Sequence, residues 1–377
     1  MIGVPPLSTS RRRFLASGLT AAALFARGSF ALELSETTNW VCPVLGDLHF
    51  DRLEHHDLAW LAKDHPGDVR QVENYSRVTR EFLPKLLQIV KSQIAAAKVQ
   101  VPAVLQLGDL IEGLCGTPQL ADRQATEAIQ LIKEADFGRP FLITKGNHDV
   151  TGPGAAEAYQ KILLPHVAEF AEGAEKRASF LQERGGTLLV FFDAYDKSSL
   201  AWFVKMMEQR TPERLVVLIH PPVVPYNARS DWHVFSKPHQ QAERTQFLSL
   251  LGKHRAIVLC GHLHKYSFLR RRTEQGPFVQ LAISSVATDV AAQAKHSLEG
   301  VEHYGPDLVQ LEPNHSPATL EARRALLAAE RPFIEHFEYA DTWGHALLKV
   351  AGPRIAADVY RGLTETPWKS LDLSAHL

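Results

Sequence analysis

The chain has 377 residues, of which 45% are hydrophobic, and its 41 basic and 42 acidic side chains almost cancel. This length is typical of one large α/β domain with extensions or of two domains, and the ordinary Gly and Pro content excludes collagen-like and low-complexity proteins. The charge balance argues against non-specific nucleic-acid binding, and three cysteines are too few for a disulfide scaffold. A globular fold with a buried core is expected, and 18 histidines favour a metal or proton-transfer site.

The first residues predict an export signal. Ser10–Leu15 has the sequence S-R-R-R-F-L, and an apolar run extends from Phe14 to Ala26. Such a run is typical of a secretory signal and is shorter than the ~20 residues that span a bilayer. The pattern resembles the bacterial twin-arginine signal, which implies export of a folded protein to the periplasm or the cell exterior. We expect residues 1–31 to be this signal peptide, leaving no membrane anchor; an ordinary secretory signal that contains arginines is the alternative.

Short apolar runs, each ending in a polar cluster, follow along the chain. Runs of this length that are bounded by Gly, Asp, Asn or His predict strands buried on both faces. The six runs are Trp40–Leu45, Ala103–Leu107, Pro140–Thr144, Thr187–Phe192, Leu215–Ile219 and Ala256–Cys260. Between them, Phe82–Lys98 and Ala121–Ala135 carry apolar residues at helical spacing. Strands that alternate with helices indicate an α/β architecture.

The pattern changes from Phe278 onward, where strands predominate. A single helix is predicted in this part of the chain, at Pro317–Glu330. The predicted strands are Phe278–Ser284, Phe333–Tyr339, His345–Val350 and Ile355–Tyr360. We therefore predict a main domain at residues 36–295 and a C-terminal extension at residues 296–377, whose strands complete or flank the sheet.

Five of the apolar runs are followed by residues that carry chemistry. The clusters are Gly46-Asp47-Leu48-His49, Gly108-Asp109, Gly146-Asn147-His148-Asp149, His220 and Gly261-His262-Leu263-His264. Alone, a Gly-Asp pair is usually a turn and a histidine before Pro-Pro is usually structural, whereas His-x-His is the strongest single motif. In this order, each after an apolar run, the clusters indicate one site, because ligands bind at the carboxyl ends of strands in open α/β sheets.

This series resembles the calcineurin-like metallophosphoesterase superfamily, and all five of its motifs are intact between Asp47 and His264. The resemblance implies a four-layer α/β/β/α sandwich, with residues 36–295 as the catalytic domain and a strand-rich C-terminal extension. It also implies a metal-dependent phosphoric ester hydrolase with two divalent or trivalent metal ions. Carboxylate, imidazole and amide ligands suit Mn, Fe or Zn, without deciding between them.

The resemblance assigns a role to each motif. The first metal is expected to take Asp47, His49, Asp109 and His264. The second metal is expected to take Asp109, Asn147, His220 and His262. Asp109 is then the bridge, with a metal-bound hydroxide near it as the nucleophile that attacks phosphorus.

The two residues after Asn147 are the predicted catalytic residues outside the ligand set. His148 is expected to stabilise charge in the transition state or to protonate the leaving oxygen. Asp149 is expected to orient His148 or its loop, with an exposed loop acid or a helix cap as the alternative. Purple acid phosphatases have a tyrosine three residues after the bridging aspartate, where this chain has Glu112. No iron–tyrosinate chromophore is therefore expected, and Glu112 is predicted to face solvent, with an approach to the first metal as the alternative.

Two segments are candidate walls of the substrate site, at residues 50–78 and 225–239. In the second, Arg229 is a candidate for binding a phosphate oxygen, and Tyr226 or Trp232 for stacking on a base or aryl group. The motif series is similar to phosphodiesterases that act on small diesters or nucleotides. The small substrate is thus expected to be a phosphate ester, and a nuclease is disfavoured because the chain without its signal is acidic. Phosphomonoesterase or nucleotidase activity is the alternative, followed by a non-catalytic metal-binding scaffold.

Overall fold

The computed structural model describes residues 39–171, 173–174, 176–287, 292–314 and 318–377. The predicted signal peptide at residues 1–31 lies outside this part of the chain. Among the described residues, none of the helices has the length and apolar character needed to cross a bilayer.

Strands and helices alternate through the first two thirds of the chain, as the apolar runs predict. The strands are β1 (Asn39–Leu45), β2 (Val104–Gln106), β3 (Phe141–Ile143), β4 (Phe180–Arg184), β5 (Thr187–Phe192), β6 (Arg214–Ile219), β7 (Ile257–Cys260), β8 (Tyr266–Thr273), β9 (Gly276–Ala282), β10 (Ser297–Glu299), β11 (Ile334–Ala340), β12 (Gly344–Ala351), β13 (Arg354–Arg361) and β14 (Lys369–Asp372). The helices are α1 (Leu58–Asp64), α2 (Val69–Glu81), α3 (Leu83–Ala96), α4 (Pro118–Ala135), α5 (Ala155–Ala158), α6 (Leu164–Ala168), α7 (Ser199–Glu208), α8 (Gln241–Lys253) and α9 (Leu320–Glu330).

The strands form two sheets. The first has the order β14-β13-β12-β1-β2-β3, in which β1, β2 and β3 are parallel and β12 joins β1 in antiparallel orientation. The second has the order β10-β11-β8-β9-β7-β6-β5-β4, with a parallel centre from β5 to β9 through β6 and β7. The C-terminal segment thus contributes β10 and β11 to the second sheet and β12, β13 and β14 to the first.

Alternation along the strands divides the core into layers. In β5, Leu189 and Phe191 pack in the cluster that also contains residues of the first sheet, of α3 and of α4. Leu188, Val190 and Phe192 point the other way, into a second cluster with residues of α7, α8 and α9. Because successive side chains of a strand leave opposite faces, these clusters place helices on the outer faces of two packed sheets. The four-layer α/β/β/α fold is confirmed.

The segment between β1 and α3 folds as two helices that the apolar runs did not predict. Its anchor is the buried carboxylate of Asp51, which accepts hydrogen bonds from His56 Nε2 at 2.7 Å, Gln124 Nε2 at 2.7 Å and Ser76 Oγ at 2.9 Å. Since Gln124 belongs to α4 and Ser76 to α2, this one carboxylate ties the segment to the helical layer of the first sheet.

Candidate metal centre

The five polar clusters of the sequence meet where the two sheets face each other. The loops after β1, β2 and β3 come from the first sheet, and those after β6 and β7 come from the second. Four of the candidate ligands have left-handed backbone conformations, with φ of 45° at His49, 53° at Asp109, 73° at His262 and 54° at His264. Residues other than glycine rarely adopt this conformation, and when they do they concentrate at functional sites.

Glycines before the ligands let these loops approach one another. A Cβ at Gly108, whose φ is +97°, would lie 2.4 Å from Nδ1 of His220. A Cβ at Gly146 would lie 2.1 Å from both the backbone nitrogen and Oδ1 of Asp109. Only glycine therefore permits the observed distances between the loops of β2, β3 and β6.

One group of donors matches the predicted first metal. Single ligand atoms of Asp47, His49, Asp109 and His264 all lie within 4.8 Å of one another. Nε2 of His49 is 3.0 Å from Nε2 of His264 and 3.7 Å from Oδ2 of Asp109. The structure thus brings together the four side chains that the first two motifs and the last one supply.

A second group shares Asp109 with the first. Ligand atoms of Asp109, His220 and His262 lie within 4.8 Å of one another. His220 Nε2 is 2.9 Å from Oδ2 of Asp109, 3.2 Å from Oδ1 of Asn147 and 3.2 Å from Nδ1 of His262. The two donor groups are therefore adjacent and joined by a single carboxylate.

The arrangement of the donor atoms is better satisfied by bound cations than by hydrogen bonds among the side chains. Oδ2 of Asp47 is buried and has no hydrogen-bond partner. Imidazole nitrogens face each other in both groups, at His49–His264 and at His220–His262. A metal ion satisfies both arrangements, because it accepts electron pairs from a carboxylate and from several imidazoles at once. These clustered side chains can bind a dinuclear metal centre.

The electrostatics of the site favour ligands that carry a free electron pair. Burial lowers the pKa of His262 to about 3, and burial together with the neighbouring His49 lowers that of His264 well below its usual range. Burial also lowers the pKa of His220, but the carboxylates of Asp109 and Asp47 outweigh it and raise the value to about 9. A cation held at His220 would take the place of that proton, so its binding there would release a proton.

His148 and Asp149 differ in their surroundings. The ring of His148 lines the cavity above the donor groups, and its Nδ1 donates to the backbone oxygen of Glu112 at 2.7 Å. Asp149 is fully buried, and its carboxylate accepts from the backbone nitrogens of Gly146 at 2.8 Å, Asp109 at 3.1 Å and Ile111 at 3.2 Å. Asp149 therefore holds its loop rather than the ring of His148, and the alternative of an exposed loop acid is wrong.

The prediction that Glu112 faces solvent is also wrong. Its side chain is fully buried, and Oε2 accepts a hydrogen bond from Nδ1 of His49 at 2.6 Å. Oε1 accepts from Nε2 of Gln71 in α2 at 2.8 Å. The sequence signal was its position three residues after Asp109; its burial follows from α2, which the sequence did not predict as a helix.

A cavity of about 770 Å³ opens above the metal centre. Both candidate wall segments contribute to it, though mostly through residues that sequence reasoning did not single out. From residues 50–78 they are His65, Asp68, Gln71 and Tyr75. From residues 225–239 they are Arg229, Asp231, Trp232, His233, Val234, Phe235, Ser236 and Lys237, and Gln240 follows directly after this segment.

Three aromatic side chains lie beside the imidazoles in this cavity. Tyr75 stacks on His49 with ring centroids 4.3 Å apart, and Trp232 is tilted towards His262 at 5.7 Å. The hydroxyl of Tyr195 donates to Oδ1 of Asn147 at 3.3 Å. Tyr226, by contrast, is buried and its hydroxyl donates to the backbone oxygen of Lys265, so the prediction that it could stack on substrate is wrong.

Arg229 lies at the edge of the same cavity. Its Nε donates to Oε2 of Glu312 at 3.0 Å, and its guanidinium carbon lies 5.4 Å from the centre of the Trp232 ring. Glu312 thus holds the guanidinium against Trp232, at one end of the cavity.

Comparison with known proteins gives the class. Residues 44–266 match the calcineurin-like phosphoesterase family. This match covers more than half of the chain, and the chain belongs to that family. It is a metal-dependent phosphoric ester hydrolase. No sequence match is found among curated proteins.

Solved structures show the same fold. The structure of PhoD superposes with a TM-score of 0.50 at 12% identity, over 89% of this chain and 70% of PhoD. The purple acid phosphatase PPD1 from yellow lupin (Lupinus luteus) seeds gives a TM-score of 0.50 at 14% identity, over 88% of this chain. The chain spans about half (53%) of the lupin phosphatase. At these identities the likeness concerns the fold alone.

Proposed function

We propose that this protein is an exported phosphodiesterase that hydrolyses a small phosphate diester or nucleotide with two bound metal ions. Asp47, His49, Asp109 and His264 hold the first ion. Asp109, Asn147, His220 and His262 hold the second. The observation that carries the proposal is that two groups of donors, buried or partly buried, share the carboxylate of Asp109.

Different residues of the chain have different roles in the proposed hydrolysis. When bound, two cations would supply Lewis acidity for hydrolysis of the ester. Asp109 would help to hold both ions, since its carboxylate belongs to both donor groups. Nδ1 of His148 is occupied by the backbone oxygen of Glu112, which leaves Nε2 to donate a proton to the departing ester oxygen. Asp149 keeps His148 in place through the loop backbone.

The cavity supports a diester. A diester has an organic group on each side of the phosphorus, and the cavity extends over both donor groups. Tyr75 lines it beside His49 of the first group, and Trp232 lines it beside His262 of the second. Apolar contact with an organic group is therefore offered on both sides of the metal centre.

The deciding experiment compares two chromogenic esters. Protein without residues 1–31 is supplied with Mn²⁺, and p-nitrophenol release is measured from bis(p-nitrophenyl) phosphate and from p-nitrophenyl phosphate. We expect release that a chelator abolishes and that is faster with the diester. Asp109→Asn should lower turnover by at least ~100-fold, because the shared ligand loses its charge. The matched control is Asp136→Asn, which changes an exposed carboxylate at the end of α4.

Other outcomes assign other functions. A preference for the monoester contradicts the diesterase proposal and supports a phosphomonoesterase or nucleotidase. Binding of two Mn²⁺ ions without turnover of either ester contradicts hydrolysis of such esters at this site.

A further inference from the structure

We infer that Arg229 forms a subsite for a second oxyanion of the substrate, a phosphate or a carboxylate carried on its organic group. The inference rests on the proposed function, because it takes the cavity above the metal centre as the substrate site. It narrows the substrate class to phosphate esters that carry this additional negative charge. None of the five family motifs includes Arg229.

The guanidinium of Arg229 is held through one of its three nitrogens. Nε donates to Oε2 of Glu312 at 3.0 Å, and neither terminal nitrogen has a hydrogen-bond partner among the residues that the structure describes. The side chain is nevertheless only 13% exposed, and it lines the cavity. The N–H groups of the two terminal nitrogens match the paired oxygens of a phosphate or a carboxylate. Arg229 is therefore prepared to bind an oxyanion from the cavity.

The charges around Arg229 favour an anion. Oε1 of Glu312, the oxygen that Arg229 does not use, lies 3.4 Å from Nζ of Lys265. One carboxylate thus faces two cations, and these three side chains together keep a net charge of +1. Asp231 and Lys237 also line the cavity, but their charges have opposite signs. An anionic group of the substrate would complement the remaining positive charge.

Arg229 lies beyond Trp232 in a series of neighbours that starts at the metal centre. The ring of Trp232 is 5.7 Å from the ring of His262, and the guanidinium carbon of Arg229 is 5.4 Å from the centre of the Trp232 ring. The ion pair of Arg229 is with Glu312 and with no donor of either metal group. A substrate ring in contact with Trp232 would therefore present an anion to Arg229 while the ester phosphate lies at the metal centre. The anion that Arg229 receives is thus a second one.

Helix α9 fixes the loop that carries Arg229. Arg323 of α9 is fully buried, and its Nη1 donates to the backbone oxygens of Ala228 at 2.9 Å and of Glu312 at 3.2 Å. In the other direction, Oγ of Ser230 donates to the backbone oxygen of Arg323 at 2.9 Å. Arg229 and its carboxylate partner are thus positioned by the same helix of the C-terminal segment. The subsite is preformed, so little conformational freedom is lost when an anion binds.

The test compares esters that differ only in the second anion. One pair is p-nitrophenyl thymidine 5′-phosphate with and without a 3′-phosphate. The other pair is p-nitrophenyl phenyl phosphate with and without a carboxylate at position 4 of the phenyl ring. KM and kcat are measured at saturating Mn²⁺ with protein that lacks residues 1–31. We expect the KM of the anionic member to be ~10–100-fold lower in at least one pair, as hydrogen bonds between charged groups provide, and that pair identifies the oxyanion.

Variants of Arg229 show whether this side chain is responsible. Arg229→Gln removes the charge and should bring the ratio of the two KM values close to one. Arg229→Lys keeps the charge but loses the planar pair of N–H groups, so only part of the ratio should return. Arg210→Gln changes an exposed arginine that is paired with Glu183, and as the matched control it should leave the ratio unchanged. Thermal unfolding shows whether each variant is folded.

Two results would overturn the inference. One is equal KM values within both pairs for the unsubstituted protein, and the other is a ratio that folded Arg229→Gln leaves unchanged.

A failure of the proposed function is distinguishable, because the unsubstituted protein would then hydrolyse none of these esters. Calorimetric titration in the presence of Mn²⁺ then decides about the subsite. Thymidine 3′,5′-bisphosphate is compared with thymidine 5′-phosphate, and 4-carboxyphenyl phosphate with phenyl phosphate. Tighter binding of an anionic member by the same ~10–100-fold, abolished by Arg229→Gln, would support the subsite without hydrolysis. Equal affinities within both pairs would overturn it.

Discussion

Gly146 has no room for a side chain, because the loop after β3 passes directly over Asp109. Gly146→Ala places a Cβ 2.1 Å from Oδ1 of Asp109, so the shared carboxylate must move. Displacements of about 1 Å at a reacting centre cost ~100-fold in rate. We expect a loss of that size in turnover and a weaker affinity for Mn²⁺, with the far-ultraviolet circular dichroism spectrum unchanged.

Gly67→Ala is the matched control, because no atom would lie within 4 Å of a Cβ added there. It should leave Mn²⁺ affinity and turnover as they are. Mn²⁺ affinity and turnover equal to those of the original protein would contradict this prediction, because the added Cβ of Gly146→Ala would then not displace the carboxylate of Asp109.

At the level of single residues, the sequence predicted which side chains meet but not what surrounds them. Asp47, Asp109 and the histidines were predictable because their motifs follow apolar runs. Glu112 and Tyr226 were mispredicted, because their burial depends on segments distant in sequence: Glu112 contacts Gln71 at 2.8 Å, and Tyr226 contacts Lys265 at 3.3 Å. No local pattern encodes such contacts.

Among the elements, the loop between β6 and α8 forms one end of the cavity. Trp232 in this loop is tilted towards His262 with centroids 5.7 Å apart, so its ring is placed to contact an aromatic ester group. Trp232→Ala should raise the KM for bis(p-nitrophenyl) phosphate by ~10-fold, as loss of an aromatic contact does, and change kcat little.

Steady-state kinetics with this diester is the measurement. Tyr226→Phe, which removes a hydroxyl buried away from the cavity, is the control and should leave KM as it is. Equal KM values for Trp232→Ala and the original protein would show that the ester group is bound elsewhere.

Glu338 joins the two sheets at their C-terminal strands. It lies in β11 of the second sheet and accepts from Lys369 of β14 in the first sheet at 2.5 Å, from Tyr266 at 2.7 Å and from His336 at 3.1 Å. Burial would raise the pKa of Glu338, but these donors, His336 and Lys369 foremost, lower it to about 2. A lowered pKa stabilises the folded state above pH ~4.5, and this stabilisation is lost as the pH falls towards 2.

Glu338→Gln should therefore lower the free energy of unfolding by ~1–3 kcal/mol at pH 7. Denaturant unfolding of the original protein and of Glu338→Gln at pH 7 and pH 3 tests this. The difference between their free energies of unfolding should be smaller at pH 3, because there Glu338 is largely protonated in the unfolded chain. The exposed pair of Glu183 and Arg210 supplies the control, and Glu183→Gln should stay within ~0.5 kcal/mol. A difference in free energy of unfolding that is larger at pH 3 than at pH 7 would contradict the lowered pKa of Glu338.

The elements that the sequence predicted are those with continuous apolar runs, such as β5, β6 and β7 at the centre of the second sheet. Two elements were not predicted from the sequence. In β8 the residues Arg270, Arg271 and Arg272 interrupt the apolar pattern, and helix α2 is largely polar. In β8 the arginines are satisfied by tertiary partners: Arg271 Nε, for example, donates to Oε2 of Glu330 at 2.7 Å. Charged side chains are compatible with a strand when such partners exist, and the sequence does not show them.

For the whole molecule, the proposed export depends on residues before the first strand. Arg11→Lys with Arg12→Lys should block translocation of the full chain and leave it in the cytoplasm of a bacterial host, because the twin-arginine pair is then absent. Cell fractionation and immunoblotting measure this. Arg27→Lys lies outside the pair and should not alter export; undiminished export of the double variant would favour an ordinary secretory signal.

The overall topology was only partly predictable. Strands alternating with helices indicated α/β, but the four layers came from the family resemblance, because periodicity does not say how two sheets pack. The C-terminal strands were predicted to complete or flank the sheet, and the sequence did not say which of two sheets they join. They divide between both, since β11 pairs with β8 and β12 pairs with β1.

The position of β1 has a consequence for how the protein is made. β1 lies between β2 and β12, and its Trp40 pairs with Val350, 310 residues later in the chain. One edge of β1 therefore stays unpaired until β12 has been made, and pairings between strands so distant in sequence form slowly. Asp47 and His49 follow this strand directly. The strand that positions these two candidate ligands is thus paired on both edges only when β12 has folded back onto it.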